Sequence, residues 1–296
     1  MKESNESLIL VKEALDKIRN RSLPNGGFAL NRDAYRPDAT AWAILALEAA
    51  GGDRGLTIPA CQRLAQSQHS DGRITAIEGN RESYWPTALC IMAWRKIPGF
   101  EKEIKLAAEF LLSNSGIHQI DQKNAKTGHD ISIRGWPWIE NTHSWIESTA
   151  LATLALRACG YGKHERVFEA VNMILDRQLP SGGWNYGNSS VFGKELLPII
   201  VSTGHALCAL AGQTAFEVVD LSVNYLKKQI KKIRTPLSLS WSIFGLTAWG
   251  SPPLEFRQWI LESLYLQNKY GGYNTSLLSQ LIVAYYAGGD FLSLFD

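Results

Sequence analysis

Hydrophobic and polar positions alternate along this chain between two helical patterns. Residues 5–20 place Leu8, Val11, Leu15 and Ile18 at helical spacing with charges between them, which predicts a helix with one apolar face. Residues 39–50 read ATAWAILALEAA, apolar almost all the way round, and a helix with no polar face is buried on every side. The same alternation returns along the chain. Outer, one-sided helices are expected at 56–68, 101–113, 165–177, 217–233 and 254–267. Inner, buried ones are expected at 84–95, 145–158, 200–211, 239–249 and 276–287. No stretch carries the period-two pattern of a substantial sheet.

A turn precedes most inner segments: LPNGGF at 23–28, QHSDGRI at 68–74, QLPSGGW at 178–184 and QNKYGGY at 267–273. Glycine supplies the backbone conformations such turns need. The unit at 237–249 keeps its inner helix and has lost its turn, and the unit at 144–156 keeps only its second half. Roughly six units about 45–50 residues apart make a repeat architecture, in which each hairpin needs its neighbours to bury its apolar faces. The expectation is therefore all-α and a single domain over 1–296: a double ring of six helical hairpins. A long polar insertion at about 114–142 stands where the third turn should be. It ends in Arg134-Gly135-Trp136-Pro137-Trp138 and is expected to lie across one mouth of the ring.

Composition narrows the field. Hydrophobic residues make up 45%, enough for a large core, yet no apolar run reaches the ~18 residues of a membrane span. The N-terminal stretch has charges within its apolar pattern and no small-residue cleavage site, so a cytoplasmic protein is expected. A formal charge of +2 gives no global field for nucleic acid. The basic run at 227–234 reads as a solvated outer face, with peripheral membrane contact left open. Cys61, Cys90, Cys159 and Cys208 are far apart in apolar segments and read as buried hydrophobes.

The turn Gln178-Leu179-Pro180-Ser181-Gly182-Gly183-Trp184 resembles the QW-type repeat of the squalene–hopene cyclase and protein prenyltransferase superfamily. The resemblance extends over nearly the whole chain. It implies an (α/α)6 barrel around an apolar cavity, an isoprenoid ligand, and a structural role for Gln178 and Trp184. Triterpene cyclases of that superfamily have two such domains; this chain has length for one and is similar to single-domain bacterial members. Its class II cyclases carry a DxDD motif followed by Thr-Ala, whose middle aspartate protonates an alkene or epoxide. Here Arg36-Pro37-Asp38-Ala39-Thr40-Ala41 stands in its place, with Asp38 in the middle position and the outer acids replaced by Arg36 and Ala39. Glu147 occupies the same register before Thr149-Ala150, where two other units hold Trp85 and Val201.

Asp38 and Glu147 are the candidate catalytic acids. A helix N-terminus strengthens such an acid, while burial or a like charge keeps its proton on. Arg36, folded inward, would hold Asp38 ionised. Carboxylates are also at home in the first turn of a helix without any chemistry. Tyr35, Trp42, Tyr84, Trp85, Trp136, Trp138, Trp145 and Trp241 are the candidate substrate-binding rings, since aromatic faces stabilise a carbocation. No cofactor or metal is expected. His205 and Cys208 fall short of a tetrahedral site, and His118, Asp121, His129, Asp130 and His143 lack ligand spacing. Two alternatives stand beside cyclisation: a non-catalytic isoprenoid or lipid carrier, and a glycan-processing α/α barrel using paired carboxylates.

Overall fold

A computed structural model describes residues 5–32, 34–77, 79–118 and 128–294, with side chains from residue 8 onward. Six buried helices form an inner ring: α2 (Pro37–Ala49), α4 (Pro86–Trp94), α6 (Ile146–Ala158), α8 (Ile200–Leu210), α10 (Pro236–Thr247) and α13 (Thr275–Tyr286). Each packs on the next in that order, and α13 packs back on α2, so the ring closes. The outer layer is α1 (Asn5–Arg19), α3 (Arg54–Gln66), α5 (Glu101–Ser113), α7 (Glu165–Asp176), α9 (Phe216–Gln229) and α11 (Phe256–Tyr265); α3 to α11 each lodge between two inner helices, and α1 packs on α13 and α11. A short α12 (Gln267–Tyr270) precedes the last turn. The only paired strands among the described residues are β1 (Ser190–Val191) and β2 (Lys194–Glu195), a small hairpin. The fold is the all-α (α/α)6 toroid that the hydrophobic pattern predicts.

The repeated turn holds the ring together through one set of bonds. A threonine two residues past the acid register accepts a hydrogen bond from the amide of the turn's apolar residue. The pairs are Phe28 to Thr40, Ile74 to Thr87, Trp136 to Thr149 and Trp184 to Thr203, at 2.8, 2.9, 2.9 and 3.1 Å. Gln68 and Gln178 reach forward to the next outer helix, donating to the Glu103 and Val218 carbonyls. Close approach explains the glycine: a methyl group built on Gly72 would stand 2.2 Å from the Leu106 carbonyl oxygen of α5.

These bonds correct one expectation. The third turn has not been lost to the insertion; it lies inside it, at Arg134-Gly135-Trp136. Trp136 Nε1 donates to the Leu111 carbonyl at the end of α5, as Trp184 Nε1 does to Ile174 at the end of α7. Residues 119–127 of the insertion, Asp121 among them, lie outside the described residues.

Thr203→Val keeps the shape of the side chain but leaves the amide of fully buried Trp184 without its acceptor. The expected cost is about 1–3 kcal/mol, read as a lower urea midpoint at unchanged slope. An unchanged midpoint would show that the turn contributes nothing to closure.

Candidate active site

The ring encloses a cavity of about 530 Å³ that opens at the N-terminal ends of the inner helices. Its wall follows from helix geometry. Asp38, Glu147, Val201, Leu237 and Ser276 are each the second residue of their helix, and Trp85 immediately precedes α4. Together they form an upper tier. Four residues on, one turn of helix and about 6 Å deeper, the same helices contribute Trp42, Leu151, His205, Trp241, Gln280 and Leu89. Trp138, Trp145, Tyr186 and Ile199 complete the mouth from the connecting loops. Phe291 lies against both Trp42 and Trp241, with ring centroids 5.8 and 5.5 Å away, and packs at the far end.

Of the sequence-chosen residues, Asp38, Glu147, Trp42, Trp85, Trp138, Trp145 and Trp241 line this one cavity. Tyr35, Tyr84 and Trp136 do not. Tyr35 faces a second pocket, where its hydroxyl accepts a hydrogen bond from Ser67. Tyr84 is buried edge-on against Phe110, and Trp136 is the turn residue described above. Trp184 is likewise a turn residue. The insertion reaches the mouth through Trp138, whose ring meets Trp85 at 5.1 Å. Beside the mouth, between Tyr186 and Ile199, the loop carrying the β1–β2 hairpin leaves Phe192 and Leu197 exposed. Cys208 is buried outside the lining, and no group of three or more His, Cys, Asp or Glu side chains among the described residues could hold a metal ion.

The two acids differ in their partners. Asp38 is 5% exposed, and burial pushes its carboxyl up. Arg36, whose Nε donates to Asp38 Oδ1 at 2.8 Å, pulls it the other way. Glu147 is 4% exposed and meets no cation among the described residues. Its Oε1 accepts from the Ser202 hydroxyl, while Oε2 is buried without a hydrogen-bond partner. Burial pushes the Glu147 carboxyl up as well, opposed only by Ser202 and its own backbone amide. An unpaired carboxylate in an apolar wall is costly, so the neutral acid is favoured.

His205, which the sequence marks only as half of an incomplete metal site, and Gln280, which it does not mark at all, also line the cavity. His205 Nδ1 lies 2.9 Å from the Val201 carbonyl, which can only accept, so Nδ1 bears the proton and Nε2 the free lone pair. The ring stacks on Trp241 with centroids 3.4 Å apart, and burial lowers its pKa to about 3. Gln280 is 4% exposed and its Oε1 has no partner among the described residues.

This gives a stability prediction. The unfolded chain binds a proton at His205 near pH 6.5, and the native state refuses it until about pH 3. Across that window wild type should lose stability as pH falls, and His205→Gln should lose less. Asp38 and Glu147, with raised native pKa values, act in the opposite sense, and both variants retain them. From pH 7 to pH 3 the melting temperature of wild type is expected to shift downward relative to that of His205→Gln; parallel curves would contradict the assignment.

No protein-family model and no curated protein matches the chain. Solved structures do match, at identities that show the fold alone. The type II terpene cyclase MstE from Scytonema is similar at a TM-score of 0.63 and 12% identity, covering 97% of this chain and 99% of that one. A variant of MstE in complex with geranylgeranyl dihydroxybenzoate, its substrate, gives 0.60 and 12%, with 97% and 98% covered. A GH76 α-mannanase of Bacteroides thetaiotaomicron gives 0.61 and 11%, with 97% and 96% covered. The chain is thus an α/α toroid similar in fold to both a terpene cyclase and glycosidases.

Proposed function

We propose that the chain binds an isoprenoid in its central cavity and cyclises it by protonation, as a class II terpene-cyclase-like enzyme with Glu147 as the acid. The observation that carries this reading is the buried carboxyl of Glu147, without a cation and with one oxygen unpartnered among the described residues, in a wall made mostly of tryptophan and aliphatic side chains. The Glu147 O–H bond breaks as the alkene or epoxide of the substrate takes the proton. The resulting carbocation is attacked by further double bonds of the same chain, and Trp42, Trp85 and Trp241 offer their faces to the moving charge. His205 Nε2 takes the proton lost at the end, so substrate and product are isomers, and exchange with solvent then returns His205 to its neutral form and a proton to Glu147. The same burial shifts Glu147 toward its protonated form and His205 toward its neutral form, the divergence of pKa values that marks an acid–base pair. Asp38, held by Arg36, has an orienting part.

A glycosidase reading draws on two carboxylates in one tier and on the likeness to the mannanase. Against it stand the Arg36–Asp38 pair, which engages one of the two carboxylates, and the apolar Trp42, Leu89, Leu151 and Trp241 of the lower tier. A third reading, a carrier without chemistry, shares the cavity but assigns Glu147 no role.

Incubation with prenyl diphosphates, squalene, prenylated aromatics and α-mannan oligosaccharides, followed by mass spectrometry, separates the three. The expected product is a cyclic isomer of a prenyl substrate, heavier by one mass unit when made in D2O. Release of reducing sugar would support the glycosidase; tight prenyl binding with no product would support the carrier.

A further inference from the structure

A second pocket, of about 650 Å³, lies between the loop entering α2, the end of α3 and Thr75, Ile77 and Gly79. Two guanidiniums line it, those of Arg36 and Arg63. Arg36 stands between the two cavities: its Nε donates to Asp38, which lines the central one, and neither of its Nη atoms has a partner among the described residues. Arg63 has no ion pair or hydrogen bond among the described residues. Its Nε is buried and unpartnered, and its guanidinium lies on the Tyr35 ring with Cζ 4.6 Å from the centroid. Ser67, bonded to the Tyr35 hydroxyl, steadies that ring. The described lining residues include no carboxylate.

Two arginines gathered in one pocket repel each other, and a buried N–H without an acceptor is costly. A planar fork with unused donors suits the oxygens of a phosphate. We infer that this pocket binds a phosphate or diphosphate oxyanion, gripped by Arg63 and by the free edge of Arg36. Supplied by the substrate, the anion would be the head of a prenyl diphosphate whose chain enters the central cavity past the Arg36–Asp38 pair. Supplied free, it would be inorganic diphosphate. Only the identity of the attached chain rests on the function proposed above.

Isothermal titration of the full chain with sodium diphosphate at low salt tests the site without any turnover. Saturable binding is expected, weakened at least tenfold by Arg63→Gln. Arg63→Lys, which keeps the charge but not the fork, is expected to weaken it by less, and it provides the readout should the glutamine variant fail to fold. Failure of wild type to bind diphosphate saturably, or equal affinity in wild type and folded Arg63 variants, overturns the inference. Competition between diphosphate and geranylgeranyl diphosphate would identify the head group as the source of the anion. Independent binding of both would identify free diphosphate. A chain that binds diphosphate as described yet cyclises nothing contradicts the proposed function and leaves this site standing.

Discussion

Replacing Glu147 by glutamine is expected to lower turnover of a cyclising substrate by at least about 10³-fold, within the range a positioned general acid contributes. The amide oxygen can still accept from Ser202, so folding and substrate binding should survive the change. Relief of a buried ionisable group should even raise the melting temperature above neutral pH, since the native Glu147 pKa lies above that of the unfolded chain. Wild-type turnover should fall as pH rises through that raised pKa, because only the protonated carboxyl can act. Asp38→Asn is expected to cost less, because the guanidinium of Arg36 already competes for the proton of that carboxyl. Single-turnover product analysis of both variants decides the matter. Loss in Asp38→Asn with activity kept in Glu147→Gln would move the acid to α2; activity kept in both would remove it altogether.

The second large effect is structural. Gly204 of α8 faces the backbone of α10 so closely that a Cβ there would lie 2.4 Å from the Trp241 carbonyl oxygen. Backbone cannot rotate away as a side chain can. Gly204→Val should therefore wedge apart the two helices that bring His205 onto Trp241, at a cost of about 3 kcal/mol or more. Loss of the α8–α10 contact would open the wall, so activity and cooperative melting should fail together. Chemical denaturation reads the loss of stability, and a normal midpoint would show that the ring tolerates a wider gap than its geometry implies.

Much of this arrangement was legible in the sequence, for identifiable reasons. Helices buried on both sides read differently from helices with one wet face, so α2, α6 and α8 stood out from α1 and α7. The register that puts Asp38 and Glu147 at equivalent starts also predicts that both face the same cavity end, and they do. Extending it by one helical turn would have led to His205 and Gln280, because each lies four residues past its register position. Tyr84 was misplaced for the same reason in reverse: one residue before Trp85, it points another way and packs on Phe110. The third turn escaped notice because Arg134-Gly135-Trp136 lacks the second glycine and the preceding glutamine. Its place is fixed by the bond from Trp136 to Thr149, a pairing thirteen residues apart that composition does not advertise. Arg36 could be suspected of reaching Asp38, but its second face, toward Arg63, depends on how α3 docks beside α2.

The most direct measurement is a crystal structure of Glu147→Gln with a prenyl substrate. The account predicts a folded hydrocarbon chain in the ring centre, flanked by Trp42 and Trp241, with a double bond or epoxide against residue 147. A prenyl chain bound on the outer surface, with the centre holding only water, would contradict it.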